Sequence, residues 1–138
     1  KRELVPLIKE IHYIKNFVQL QIIRLSHSEN VKLRIKGDYD SKKIPPLLLI
    51  PFVENAFKYG TDFKGRTDVN IHLEVIDDTL FFIVKNKIGV YNKNTESSGI
   101  GLKNIQSRLK LLYPEEHVLK IAKEEGYYNV QLELNLSE

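Results

Sequence analysis

The chain has 138 residues, with 21 Lys and Arg against 18 Asp and Glu, a formal charge of +3, and neither cysteine nor methionine. That length suits one domain able to bury on the order of two-thirds of the surface its unfolded chain exposes, and the lack of cysteine excludes a disulfide framework. The basic residues Arg24, Lys32, Arg34, Lys36, Lys42 and Lys43 are interleaved with Glu29, Asp38 and Asp40, which argues against a nucleic-acid partner. No apolar run approaches the ~20 residues that cross a bilayer.

The chain starts at Lys1 without a methionine, and so reads as a piece excised from a longer protein. Leu4, Ile8, Ile11, Ile14, Val18, Ile22 and Leu25 recur at three- and four-residue steps, separated by Lys9, Glu10, Lys15, Asn16, Gln19 and Arg24. This predicts an amphipathic leading helix within residues 1–28, its stripe facing the domain core or a partner helix. Val31, Leu33 and Ile35 then alternate with Lys32, Arg34 and Lys36 as a half-exposed strand, closed by Gly37, Asp38, Asp40 and Ser41.

The stretch PPLLLIPFVENAFKYG, Pro45 to Gly60, is the centre of the sequence. Proline has no N–H to leave unpaired in a first turn, so Pro45 and Pro46 are read as opening a helix that Gly60 ends. Leu48, Phe52 and Ala56 form one apolar row and Leu49, Val53 and Phe57 its neighbour, which predicts burial over most of the helix. Glu54 and Asn55 beside those rows then need partners. Asn55, Lys58 and Tyr59, at i, i+3 and i+4, share a face. An amide, an ammonium and a ring suit a phosphorylated, ring-bearing ligand with a hard cation, and equally a solvated final helical turn.

Further on, Val69 to Val75 and Leu80 to Val84 alternate about a turn at Asp77 and Asp78, a hairpin pattern. From Lys85 to Ser98 the pattern dissolves, and a loop of about a dozen residues is expected. Gly99 and Gly101 flank Ile100 just before Leu102, Ile105, Leu109 and Leu112, so they are placed where a helix begins, either admitting an anion to its N–H groups or making a tight turn. Val118 to Ile121 and Val130 to Leu136 make a closing antiparallel pair. The fold class that follows is α/β, a two-layer sandwich with a mixed sheet of about five strands and helices on one face. His12, His27, His72 and His117 lack metal-ligand spacing.

The order of a long helix, PFVENAFKYG, two strands, a loose loop, GIGLKNIQSRL and a final hairpin resembles the catalytic ATP-binding domain of LytS-like sensor histidine kinases, in the GHKL ATPase superfamily. The resemblance runs from about Val5 to Leu136 and implies a leading helix (1–28) followed by a nucleotide-binding core (29–138). It implies ATP and Mg²⁺ as cofactors. Asn55 would hold the metal, Glu54 would act catalytically, Lys58 would meet phosphate oxygens and Tyr59 would lie against the base or ribose. Gly99, Ile100, Gly101, Leu102 and Lys103 would wrap the phosphates, with Arg108 a further phosphate contact or a solvated helix charge, and residues 87–98 would form a lid. Where the family has an Asp after the third strand, this chain has Asn86, which keeps a carbonyl acceptor and loses the charge. The usual Thr near the start of the last strand is replaced by the run Tyr127, Tyr128 and Asn129.

The partners implied are a histidine-containing dimerisation segment of the same protein, whose HF.FN motif is missing here, and a response regulator. A cytoplasmic location under an inner-membrane parent is implied as well. Another GHKL ATPase or serine kinase, or a degenerate binding module, are the alternatives.

Overall fold

Five segments of alternating apolar and polar residues assemble into one mixed sheet, and three helices cover the face on which the apolar residues converge. The structure, a computed structural model, describes residues 3–88 and 95–137, with the backbone alone over 95–101. In chain order the elements are β1 (Val5–Pro6), α1 (Leu7–Arg24), β2 (His27–Gly37), β3 (Lys43–Ile44), α2 (Ile50–Tyr59), β4 (Arg66–Ile76), β5 (Thr79–Lys87), α3 (Thr95–Leu112), β6 (His117–Glu124) and β7 (Tyr127–Asn135). The main sheet runs β2-β4-β5-β7-β6, and β1 and β3 form a separate two-stranded ribbon.

Register explains the core. Ile71 pairs with Val84, Leu73 with Phe82 and Val75 with Leu80; Leu80, Phe82 and Val84 pair in turn with Leu134, Leu132 and Val130. All of them are buried, so rows of apolar side chains cross three central strands on one face. Leu7, Ile11, Ile14 and Val18 of α1, five residues of α2, and Ile105 and Leu109 of α3 complete that core. Phe52 meets Phe82 edge-on at 6.1 Å between centroids. β2 alone lies parallel to its neighbour, β4, which requires a crossover connection, and α2 lies within it.

Gly37 ends β2 with φ +96°, and a Cβ there would stand 2.1 Å from the Val75 carbonyl oxygen. Only glycine permits that approach.

Two expectations are corrected here. The central helix opens at Ile50, and Pro45–Leu49 is a turn ahead of it. Leu47 takes φ +58°, which no helix allows, while Pro51 in the first turn supplies the proline that needs no partner. The turn is held by Glu10, expected on the polar side of α1 but buried at 3% exposure. Its carboxylate accepts from the backbone N–H groups of Leu47 (2.9 Å), Leu49 (2.9 Å) and Ile50 (3.2 Å). A carboxylate from a distant helix thus does the work of a local N-cap, which Leu49 lacks.

The third helix starts at Thr95, not after Gly101. Thr95, Glu96, Ser97 and Ser98 carry the hydroxyl and acidic chemistry that favours a first helical turn, so Gly99 and Gly101 fall inside the helix. Of the expected lid, residues 89–94 lie outside the described residues.

Candidate functional site

Phe52, Asn55, Ala56 and Tyr59 recur along one side of α2 and form a wall of a narrow cleft. Its other walls are Val84, Asn86 and Ile88 at the end of β5, Tyr128 and Val130 of β7, Lys123 of β6 and Leu102 of α3. The cleft has about 60 Å³ open to water-sized molecules, room for a few waters only. The lining is mostly apolar, with polar groups at a few points, the usual composition of a small-ligand site.

Asn86 is 2% exposed, and its amide N–H donates to the Lys87 carbonyl at 3.3 Å. Asn86 pairs with Tyr128 across β5 and β7, and Tyr128 with Lys123 across β7 and β6. An amide, a phenol and an ammonium therefore stand in one row across three strands. Burial pushes the Tyr128 phenol pKa upward. Gly60 closes α2 against this row. A Cβ on it would lie 2.9 Å from the Asn86 Cβ and 2.5 Å from the Ala56 carbonyl oxygen. The exit of β5 is tied down as well, the Ile88 N–H donating to the Gly126 carbonyl at 2.8 Å in a turn where Glu125 (φ +54°) and Gly126 (φ +81°) are both left-handed.

A second hollow lies on the other side of Asn55, lined by Leu48, Pro51, Glu54, Asn55, Asn104, Ile105 and Arg108, with about 270 Å³ of free space. Asn55 borders both. Glu54 and Asn55 thus bring a carboxylate and a carboxamide to one hollow, the hard oxygen donors that Mg²⁺ prefers.

The expected site residues divide accordingly. Asn55, Tyr59, Asn86 and Leu102 line the cleft, and Glu54 lines the second hollow. Glu54 is exposed, so water serves it and burial imposes no need for a partner. Lys58 is exposed and lines neither space; its ammonium stands 5.2 Å from the centre of the Tyr59 ring. Lys103 is exposed on α3 and lines neither space. For Gly99, Ile100 and Gly101 the helical backbone is described and side-chain surroundings are not. The Arg108 guanidinium is engaged with protein, donating to the carbonyls of Leu47 (3.0 Å) and Pro46 (2.8 Å).

Lys123 escapes a reading along the sequence because only strand register brings it into the row of Asn86, whereas Tyr128 lies in the run that stands where the family has its Thr. On the opposite face of the sheet, the Tyr127 hydroxyl donates to Asp68 at 3.2 Å, and the Asp68 charge raises the Tyr127 pKa. The Lys85 ammonium stands 4.7 Å over the same ring.

The solved catalytic domain of the histidine kinase ThkA superposes with a TM-score of 0.63 at 15% identity, covering 99% of this chain and 96% of that one. ThkA solved with the response regulator TrrA gives 0.61 over 98% of this chain and 42% of that one, again at 15% identity. The fold is therefore that of a histidine kinase catalytic domain. In sequence, the chain is 26% identical to the sensor histidine kinase BtsS of Escherichia coli K12 over 136 residues, 96% of this chain and 24% of BtsS. It is 27% identical to the sensor protein LytS of Bacillus cereus over 134 residues, 88% of this chain and 23% of LytS. The resemblance to LytS-like sensor kinases thus runs through nearly the whole chain, which spans about a quarter of the length of these relatives. No protein-family model matches it. Among the described residues no helix is long and apolar enough to cross a membrane.

Proposed function

We propose that this chain is the ATP-binding catalytic part of a sensor histidine kinase. The observation that carries the reading is Asn55 at the junction of an apolar cleft and a second hollow to which Glu54, Asn104 and Arg108 bring polar side chains. A base enters between Tyr59, Ile88 and Tyr128 with its edge toward Asn86, and the triphosphate runs past Asn55 toward Glu54 and the Asn104 and Arg108 side of α3. Asn55 and Glu54 would hold Mg²⁺, which when bound neutralises phosphate charge. The remaining contribution of the chain is position: the nucleotide is held so that its terminal phosphate projects from the hollow.

In the transfer, the Pγ–O bond to ADP breaks, an imidazole nitrogen forms the new N–P bond, and the imidazole proton leaves to solvent. None of His12, His27, His72 and His117 lines the cleft or the second hollow, so the acceptor is a histidine on another segment, and a response regulator receives the phosphoryl group next. The domain works on the cytoplasmic side of a membrane-anchored parent, where ATP is present. Asn86, neutral and buried, also favours a second reading, in which nucleotide is bound and never transferred.

Incubation with γ-labelled ATP separates the two. The chain alone stays unlabelled, while the longer protein that carries the acceptor gains acid-labile label that is lost in Asn55→Ala. Acid-labile label on the isolated chain, mapped to one of its four histidines, would overturn this assignment; an unlabelled longer protein that still binds ATP would leave the second reading.

A further inference from the structure

The turn ahead of α2 is gripped from two sides by residues that no nucleotide contact accounts for. Glu10 of α1 takes three of its N–H groups, those of Leu47, Leu49 and Ile50. Arg108 of α3 takes two of its carbonyls, those of Pro46 and Leu47. Leu47 is held at both its N–H and its C=O, in a left-handed conformation that leucine does not seek by itself. All three helices thus meet in one short turn.

We propose that Glu10 and Arg108 are positioning residues of the nucleotide site, clamping the turn at residues 46–50 and so setting where α2 presents Asn55 and Tyr59. The proposal rests on the ATP-binding reading above. α2 has only ten residues, and Asn55 lies five residues beyond Ile50, about 7.5 Å along the axis. So short a rod transmits a shift or rotation of its first turn undiminished to Asn55. The anchoring is polar and directional, whereas Leu7, Ile11, Ile14 and Val18 of α1 pack into the apolar core. Apolar packing tolerates sliding; five hydrogen bonds of fixed geometry do not. Because coupling is reciprocal, occupancy of the cleft must also tighten the hold on α1.

Glu10→Gln keeps the side chain's volume and one acceptor and gives up the second. Its MgATP dissociation constant is expected to rise about tenfold, a coupling of ordinary size. The control is Val18→Ala, which loosens the core face of α1 without touching the turn; it should lower the melting temperature and leave nucleotide affinity unchanged. If Glu10 has only a structural role, both variants melt earlier and neither changes affinity, and the proposal falls.

Should Glu10→Gln not fold, Arg108→Lys against Arg108→Gln decides. Lysine retains the charge and cannot bridge two carbonyls as the guanidinium fork does. The clamp predicts that both Arg108 variants lose affinity about equally, whereas wild-type affinity in Arg108→Lys would overturn it. Failure of the unaltered protein to bind MgATP at all would instead refute the ATP-binding reading on which the clamp depends.

Discussion

Gly60→Ala is a sharp test of how α2 is seated. The glycine has φ −97°, a conformation open to alanine, so nothing is lost to backbone strain. An alanine would even gain about 0.4–1 kcal/mol from a less flexible unfolded chain. Against this, the added methyl stands 2.5 Å from the Ala56 carbonyl oxygen, 2.9 Å from the Asn86 Cβ and 3.1 Å from the Val69 Cγ2. The first is backbone of the helix itself and the second belongs to a buried strand residue, so neither retreats cheaply. Overpacking of this kind costs about 1–3 kcal/mol, for a net loss of about 1.3 kcal/mol once the unfolded-chain gain is subtracted. At an unfolding entropy of about 2.1 cal/mol/K per residue, each kcal/mol moves the midpoint of a domain of this size by about 3 °C. Thermal denaturation followed by circular dichroism should therefore show a midpoint about 4 °C lower, with weakened nucleotide binding because Asn86 is displaced. A variant as stable as the parent, with unchanged affinity, would refute the packing argument.

Other expectations concern the rings and the cations. Tyr127 and Tyr128 both have pKa values raised above the ordinary 10.0, Tyr127 by the charge of Asp68 and Tyr128 by burial. The folded protein therefore holds these protons more tightly than the unfolded chain, and stability falls as pH rises from 10 through the raised values. A urea midpoint measured from pH 9 to 11 should decline less steeply in the Tyr127→Phe, Tyr128→Phe double variant; an identical slope would refute the assignment. Replacing Tyr59 by leucine should weaken MgATP binding about tenfold through lost base stacking, as calorimetry would record. Lys58→Ala should have a smaller effect that fades as salt is added, since its ammonium is exposed and outside the cleft; a larger loss than in Tyr59→Leu would contradict that geometry.

Much of the architecture can be read from periodicity. The alternation of Val69–Val75, Leu80–Val84 and Val130–Leu136 names the buried face correctly because each of those strands lies against helices on one side only. Asn55 and Tyr59 were legible from helical spacing and motif together. Other features required tertiary contacts. Pro45 and Pro46 suggest a helix start by local chemistry, yet Glu10, more than thirty residues away in sequence, sets it at Ile50 by satisfying N–H groups that a local cap leaves unpaired. Its burial breaks the polar side of α1 for the same reason. Lys123 joins the row of Asn86 only through register, and Arg108 is taken up by backbone carbonyls that no sequence pattern marks. The glycines of GIGLKN are weak helix formers, and the first turn at Thr95 overrides them.

Thermal denaturation with and without MgATP, repeated on Asn55→Ala, tests the central claim most directly. At a hundred times its dissociation constant, a ligand adds about 2.7 kcal/mol, or about 9 °C for this chain. The account predicts that rise in the parent, a smaller one with ATP and a chelator, and none in Asn55→Ala. No rise in the parent at millimolar MgATP would contradict it.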